Sequence, residues 1–268
     1  MTAIALTIAG SDSGGGAGIQ ADLKTFSALG VYGASVVTAL TAQNTQGVSA
    51  IHDVPVDFIT AQMDAVFGDL QVDAVKIGML SQPTIIQTVA DGLIRHAPAA
   101  IVLDPVMVAE SGDPLLAADA ESALVDALFP LASIVTPNMH EAARLLNTSM
   151  ASCLIEMEQQ ARQLVDLGAR SVLLKGGHAS GESAQDCYLA ADGSIRWFCA
   201  PFIETKNTHG TGCSLSSAIA AGLATGQDLP TAIDHAKRWL SAAIAKADLL
   251  NIGSGAGPVH HFHEIWDQ

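Results

Sequence analysis

The sequence is poor in basic residues. Only 12 lysines and arginines stand against 27 aspartates and glutamates, which gives a formal net charge of -15. A surface with this charge repels nucleic acid and anionic lipid. Neither nucleic acid nor a membrane is therefore expected as a partner.

Cysteine pairs, a leader and membrane-length segments are also lacking. The cysteines show no CxxC spacing, which favours a reducing, cytoplasmic setting over a disulfide framework; they are Cys153, Cys187, Cys199 and Cys213. No lysine or arginine precedes the first apolar stretch, so the N-terminus does not resemble a secretory signal. No apolar run is long enough to cross a bilayer. The sequence thus predicts a soluble protein.

Short apolar runs alternate with longer amphipathic ones along the chain. The predicted strands are Ile4–Ile8, Ala34–Leu40, Ala74–Ile77, Ile101–Leu103, Ile134–Thr136 and Val172–Leu174. The predicted helices are Ile19–Leu29, Asp57–Phe67, Pro83–Arg95, His140–Leu146, Glu156–Leu167 and Thr231–Leu249, with a further small-residue helix beginning near Cys213. Near-continuous apolar strands alternating with helices predict an α/β fold with a parallel sheet covered on both faces.

The late segment DCYLAADGSIRWFC, residues 186 to 199, departs from this alternation. Asp192-Gly193 joins two strand-like runs there, which predicts an antiparallel hairpin. Linkers, low-complexity segments and repeats are not found, so residues 1–268 are expected to form a single domain. In such folds, ligands bind beyond the carboxyl ends of the strands.

A glycine cluster, GSDSGGGAGIQADLKT at residues 10 to 25, follows the first predicted strand. Such a cluster lets the backbone approach a ligand and present N–H groups to it. Residues 16 to 21 fit the degenerate GxGxxA dinucleotide pattern only weakly, because they lie far from the strand and no acidic residue ends the second strand. A loop that merely caps a helix remains the alternative.

Polar side chains end several of the later strands. Asp104 follows IVL and could hold Mg2+ directly or through water, or could cap a loop. Asn138 and Glu141 have the spacing of a helix capping box. Lys175 follows SVLL, where an ammonium group either contacts a phosphate or extends into solvent. If a phosphate ligand binds, Mg2+ and backbone dipoles must assist the few lysines.

The stretch NTHGTGCSLSSAIAAG, residues 207 to 222, places Cys213 where a glycine turn meets a helix. The N–H groups at such a helix start suit an anion, and the helix dipole there favours a thiolate and lowers a cysteine pKa. Cys213 could thus be a nucleophile paired with His209, a proton acceptor or an ordinary buried cysteine.

The histidine-rich segment VHHFH, residues 259 to 263, lacks accompanying carboxylates or cysteines with ligand spacing. It is expected to be a terminal packing segment, and no metal is assigned to it.

Together these motifs, with TALTAQNTQGV, KIGML, LDPVMVAESGD, TPNMHEA, LLKGGH and GPVHHFH, resemble the hydroxymethylpyrimidine/phosphomethylpyrimidine kinases of the ribokinase-like superfamily. The resemblance runs from about Ala5 to His263. It implies a three-layer α/β fold with a central, mostly parallel sheet, often assembled as a homodimer. It also implies phosphorylation of 4-amino-5-hydroxymethyl-2-methylpyrimidine by MgATP, then of the monophosphate to the diphosphate, in thiamine synthesis.

The resemblance also implies roles for particular residues. Gly210, Thr211 and Gly212 would surround the transferring phosphoryl group, with Cys213 as proton acceptor or hydroxyl-positioning group. The pyrimidine would contact Gln43, Asp22, Met79 and Val106. The nucleotide and Mg2+ would contact Lys175, Asn138, Glu141, Asp104 and Lys237.

Two features bear on alternatives to this reading. Gly14 stands where the family pattern has a serine, which is expected to loosen the first glycine loop. Residues 43–45 follow the pyrimidine-kinase pattern, whereas relatives acting on pyridoxal share the glycine motifs and differ there. A pyridoxal or pyridoxine kinase is therefore the close alternative, and a non-catalytic vitamin-binding module or a cysteine hydrolase the more distant ones.

Residues 105–113 are the expected lid, and no thiamine-phosphate synthase domain is expected after the last motif.

Overall fold

The computed structural model describes residues 1–108, 115, 116, 120–177 and 183–266. The strands are β1 (Ile4–Asp12), β2 (Tyr32–Asn44), β3 (Gly47–Asp53), β4 (Ala74–Ile77), β5 (Ile101–Leu103), β6 (Ile134–Val135), β7 (Val172–Leu174), β8 (Ser183–Leu189) and β9 (Ile195–Pro201). The helices are α1 (Gly18–Ala28), α2 (Val56–Asp69), α3 (Pro83–His96), α4 (Ala120–Leu128), α5 (Met139–Leu145), α6 (Leu154–Asp166), α7 (Thr211–Ala224) and α8 (Leu229–Ala245).

The described strands form one sheet in the order β3-β2-β1-β4-β5-β6-β7-β8-β9. Strands β2, β1, β4, β5, β6 and β7 run parallel, while β3, β8 and β9 are antiparallel to their neighbours. The predicted mostly parallel α/β fold is thus confirmed, and so is the late hairpin, whose turn places Gly193 at φ 83°.

Four elements depart from the predictions. The edge strand β3 and the helix α4 were not predicted, and β1 continues beyond Ile8 to Asp12. The predicted helix Thr231–Leu249 is not continuous, because α8 ends at Ala245 and residues Ala247–Leu249 form a short 3-10 turn.

Alternate strand residues supply two separate hydrophobic cores, one on each face of the sheet. Leu173 packs with helices α1, α7 and α8, whereas its neighbours Val172 and Leu174 pack with α2, α3, α4 and α6. Both faces are therefore covered, which explains the continuous apolar strands. Among the described helices, none combines the length and the apolar character that crossing a membrane requires.

Candidate active site

A cavity of about 720 Å³ opens at the carboxyl edge of the parallel strands. Most of the residues predicted to carry function line it: Gln43, Met79, Val106, Asp104, Asn138, Glu141, Lys175, Gly210, Thr211, Gly212, Cys213 and Lys237. They come from β2, from loops after other strands and from α5, α7 and α8, so the fold brings together residues that are distant in sequence. Residues 109–113 of the expected lid lie outside the described residues.

Asp22 does not line this cavity, and the prediction that it does so is wrong. Its side chain is fully buried within α1 and accepts hydrogen bonds from Lys76, Thr7 and Ser217. The carboxylate lies behind the cavity wall, because a lysine from the neighbouring strand β4 requires it as a counterion.

The start of α7 forms one wall of the cavity. Gly210 is the N-cap residue and has φ 80°, which glycine adopts without steric cost. A side chain at this position would overlap the backbone carbonyl of Gly16 in the first glycine loop. The close contact holds the two glycine loops together, and the first residues of α7 line the cavity. The N–H groups of a first helical turn that have no partner within the helix suit an anion.

A buried ion pair lies beside this helix start. The ammonium group of Lys175 is 2.9 Å from Asp104 Oδ1, and its side chain is 13% exposed. Burial alone would lower the pKa of Lys175, but the carboxylates of Asp104 and Glu141 outweigh burial and raise it, so the lysine stays charged. A Cβ atom on Gly212 would lie 3.3 Å from the ammonium nitrogen, so a glycine here keeps the cation accessible from the helix start.

Asn138 and Glu141 form the predicted capping box at the start of α5. The Glu141 N–H donates to Asn138 Oδ1 at 2.9 Å, and the Asn138 N–H donates to Glu141 Oε2 at 2.7 Å. Burial and the nearby Asp104 carboxylate raise the pKa of Glu141 to about 7, against the opposing effect of Lys175. Two carboxylates that repel each other in one cavity are a favourable place for a cation.

The oxygen donors of Asp104 and Glu141 fit Mg2+, which is commonly held by one or two carboxylates together with substrate phosphates and water. Over the described ranges, no cluster of three or more histidine, cysteine, aspartate or glutamate residues could form a closed metal cage. The donor set therefore suits a metal that arrives with a phosphate ligand.

Cys213 lies in the first turn of α7 and is half-buried. Burial raises the pKa of its thiol to about 11; Asp22 and Asp104 raise it further, while Lys76 and the Gly18 N–H lower it. The prediction of a lowered pKa is therefore wrong, because the desolvation of the thiolate outweighs the contacts that favour it.

The first glycine loop is organised around Asp12, which sequence reasoning missed. Its carboxylate accepts hydrogen bonds from the N–H groups of Gly14, Gly16 and Ala17 at 2.8 to 2.9 Å. These groups therefore do not face a ligand, contrary to expectation. A Cβ atom at position 14 would lie 3.1 Å from the Asn44 Cα. The effect of Gly14 on the rigidity of the loop stays a prediction.

His209 completes the Asp12 cluster instead of activating Cys213. Its Nε2 atom lies 2.9 Å from Asp12 Oδ2 and 3.4 Å from the side-chain nitrogen of Gln43. The pair joins the first loop to the segment before α7. Because 197 residues separate the two partners, no local pattern could have revealed the contact.

Asp12→Asn should destabilise the protein in a pH-dependent way. Burial alone would raise the pKa of Asp12, but hydrogen bonds from His209 and the loop N–H groups outweigh it and lower the pKa from 3.8. The ionised carboxylate thus adds stability above the unfolded-state pKa, and this is lost as the pH falls through the native value. We expect the variant to lose about 2–3 kcal/mol of unfolding free energy at neutral pH and less in acid. Urea titrations from neutral to acid pH measure this loss.

The exposed Asp69→Asn is the control for this measurement. It removes one charge but no buried hydrogen-bond acceptor. A loss for Asp12→Asn that matches the control, or that stays constant in acid, would contradict the role assigned to the carboxylate.

The histidines of VHHFH are buried, in agreement with a packing segment. His261 Nε2 lies 3.0 Å from the hydroxyl of Ser214 in α7. Burial lowers the pKa of His261 to about 3, so the ring is neutral at ordinary pH. The Trp239 ring packs against His261 and His263, which ties the segment to α8.

Lys76 is a second cavity residue that sequence reasoning missed. It lines the cavity although its side chain is fully buried, and its ammonium group is 2.8 Å from Asp22 Oδ1. A lysine within the otherwise apolar run AVKI was the available signal, because a buried cation requires a partner.

The fold and the cavity define a class of protein: a ribokinase-like α/β phosphotransferase with a helix start, a lysine and two carboxylates in one cleft. Comparison with known proteins identifies the family within this class. The model of the phosphomethylpyrimidine kinase family matches residues 12–260. The hydroxymethylpyrimidine/phosphomethylpyrimidine kinase of Rhizobium meliloti is 59% identical over 266 residues, covering 99% of each chain. The chain therefore belongs to the phosphomethylpyrimidine kinase family.

Solved structures agree with this fold. The pyridoxal kinase of Bacillus subtilis, in an ADP complex, superposes with a TM-score of 0.91 at 34% identity and covers 100% of both chains. The phosphomethylpyrimidine kinase of Clostridium difficile gives a TM-score of 0.79 at 43% identity, covering 90% of this chain and 99% of the other. Kinases for two different vitamin precursors thus share this architecture.

Proposed function

We propose that this kinase phosphorylates 4-amino-5-hydroxymethyl-2-methylpyrimidine with ATP and then converts the monophosphate to the diphosphate, in thiamine biosynthesis. One observation carries the proposal: a polar and apolar pocket around Gln43 shares a single cavity with Lys175 and the start of α7. We also propose that residues 1–268 act as one domain, in the cytoplasm.

The pocket around Gln43 suits an aminopyrimidine. The Gln43 amide can donate and accept hydrogen bonds, as the edge of an aminopyrimidine requires. Its Oε1 atom accepts from the Thr41 hydroxyl at 3.0 Å, which orients the amide. Met79 and Val106 pack together beside Ala39 and supply apolar contacts for the ring.

The phosphate end of the cavity suits ATP. Lys175 and the N–H group of Gly212 would hold the transferring phosphoryl group and stabilise its charge. The Thr211 N–H group donates to the Thr208 carbonyl oxygen at 3.2 Å, so Thr211 would contribute through its position at the cavity wall. Lys237, paired with Asp186 at 2.5 Å, lies at the nucleotide side of the same cavity. Mg2+ bound through Asp104 and Glu141 would supply charge neutralisation for the phosphates.

The first transfer needs a proton acceptor. The hydroxymethyl oxygen bonds to the γ-phosphorus, the bond from that phosphorus to the β,γ-bridging oxygen breaks, and ADP leaves. The hydroxyl proton passes to the thiolate form of Cys213, which must first have lost its own proton to solvent; this is the role we propose for the residue. In the second transfer a phosphate oxygen attacks, and it needs little help from a base at neutral pH.

Phosphorus NMR with MgATP tests the proposal, with the hydroxymethylpyrimidine in one tube and pyridoxal in another. We expect a pyrimidine monophosphate followed by a diphosphate. A second candidate, a pyridoxal kinase, is favoured by the closer superposition on the Bacillus subtilis enzyme. Pyridoxal turnover at least about tenfold above pyrimidine turnover would support that candidate and contradict the role of Gln43. Pyrimidine binding without product in either tube would instead indicate a non-catalytic binding module.

We also propose that the protein is a homodimer. The edge strand β3 and its surroundings expose large apolar side chains, including Tyr32 (57%), Leu40 (50%), Ile51 (41%) and Phe58 (60%). A strand at the edge of a sheet with exposed apolar residues around it is typical of a surface that a second copy covers. Light scattering that gives the monomer mass at micromolar concentration would contradict this assembly.

A further inference from the structure

A fully buried ion pair lies behind the cavity, between Lys76 in β4 and Asp22 in α1. The ammonium nitrogen is 2.8 and 2.9 Å from the two carboxylate oxygens, and both side chains are 0% exposed. Burial of two charges is costly and needs good geometry with further hydrogen bonds. Such a pair in the wall of a catalytic cavity therefore calls for a functional explanation.

Asp22 has no remaining capacity for a substrate. Besides both bonds from Lys76, its carboxylate accepts hydrogen bonds from the hydroxyls of Thr7 and Ser217, each at 2.6 Å. These donors come from β1 and α7, so the carboxylate is fixed from several directions. Its function is to hold the lysine.

Lys76 lines the same cavity as Cys213. A Cβ atom on Gly78 would lie 2.7 Å from the ammonium nitrogen, so the ammonium occupies the space that a side chain at position 78 would need. Ser217, which binds the same carboxylate, follows Cys213 by one helical turn in α7. The Asp22 carboxylate therefore connects the lysine to the helix that carries the thiol.

We propose that Lys76 is a positioning residue: its ammonium group, held in place by Asp22, faces the Cys213 thiol and determines how readily that thiol releases its proton. The proposal rests on the function proposed above, in which Cys213 is the proton acceptor. It assigns Asp22 to the support of Lys76 in place of the substrate contact implied by family resemblance.

The charges around the thiol are balanced. Lys76 and Lys175 favour its ionisation, while Asp22 and Asp104 oppose it. Burial alone would lower the pKa of Lys76, but Asp22 outweighs it and raises the pKa, so the ammonium stays charged. Two positive and two negative groups thus act on the thiol. Removing a negative group should lower the pKa of the thiol, and removing a positive group should raise it.

The test is the rate at which Cys213 reacts with iodoacetamide, followed by mass spectrometry of its peptide from about pH 6 to pH 11, because only the thiolate reacts. Cys153→Ser and Cys199→Ser remove the exposed thiols in every variant. We compare Asp22→Asn with Lys76→Met/Asp22→Asn, which removes both charges and leaves no unpaired ion. Ser217→Ala is the uncharged control.

Asp22→Asn should make Cys213 react about tenfold faster at neutral pH, the effect of one pKa unit. In Lys76→Met/Asp22→Asn this gain should disappear, and in Ser217→Ala the rate should stay within about twofold of the parent, since no charge is lost. Equal rates in the two charge variants would overturn the proposal. A tenfold change in Ser217→Ala would overturn it too, because packing alone would then explain the effect.

If Asp22→Asn fails to fold, the variant Lys76→Met/Asp22→Asn still tests the proposed role of Lys76. Lys76 lines the cavity that contains the thiol, whereas Asp22 lies behind its wall, so removing both charges should slow the alkylation below the parent rate. An unchanged rate would then contradict the proposal.

The alkylation needs no substrate, so it is separable from the kinase assay. If the alkylation rate of Cys213 changes as expected in the charge variants but the protein has no kinase activity, the proposed function is refuted and the role of Lys76 is not. In an active kinase, the acid limb of kcat/KM for the hydroxymethyl substrate should move with the thiol pKa, while the second transfer should not respond. A first transfer whose pH profile ignores these variants would overturn the role of Lys76.

Discussion

Cys213→Ala should slow the first phosphorylation by roughly 10²–10⁴-fold, the usual effect of removing a general base. The thiol lies in the first turn of α7, beside the N–H groups that suit the transferring phosphoryl group. Alanine fills nearly the same space without strain and leaves the helix start intact. Steady-state kcat/KM with the hydroxymethylpyrimidine measures the loss.

The second phosphorylation should lose much less in this variant, because a phosphate oxygen attacks without needing a base. Cys199→Ala, which removes an exposed thiol on β9, is the matched control and should leave both transfers unchanged. Equal losses in both transfers would indicate that Cys213 supports the phosphoryl group instead. Turnover near that of the parent would show that Cys213 is an ordinary half-buried cysteine without a role in the transfer. A covalent adduct at Cys213 during turnover would support the hydrolase alternative.

The sequence predicted the centre of the sheet better than its edge. Central strands such as Val172–Leu174 are buried on both faces and leave a continuous apolar run, which is a strong signal. The edge strand Gly47–Asp53 has mostly exposed residues, and its pairing depends on contacts with β2. Nothing in its local pattern distinguishes such a segment from a loop.

The candidate site shows the same division between local and distant information. Asp104 and Lys175 follow apolar strands, and topology alone brings the ends of such strands together. Asp12 and His209, by contrast, meet only in the folded chain. The raised pKa of the Cys213 thiol could not be predicted from the sequence either, because it depends on burial and on charges from several elements.

Gly210→Ala should abolish most of the phosphoryl transfer, with a loss of about 10²–10³-fold, as expected when a donor to the developing charge is displaced. The new methyl group would overlap the carbonyl oxygen of Gly16, so one of the two backbone segments must move. The first glycine loop is fixed by its three N–H bonds to Asp12. The start of α7 must therefore shift away and carry its N–H groups with it.

Gly226→Ala separates this overlap from simple backbone strain. Gly226 has φ 85°, close to the φ 80° of Gly210, but a Cβ there meets no atom within 4 Å. Both variants should lose about 1–2 kcal/mol from the left-handed backbone conformation, as measured by thermal unfolding. Only Gly210→Ala should lose more stability than this and also lose kcat/KM for both transfers. If the two variants behave alike, the contact between the glycine loops does not position the helix start, and the phosphoryl group must be held mainly by Lys175.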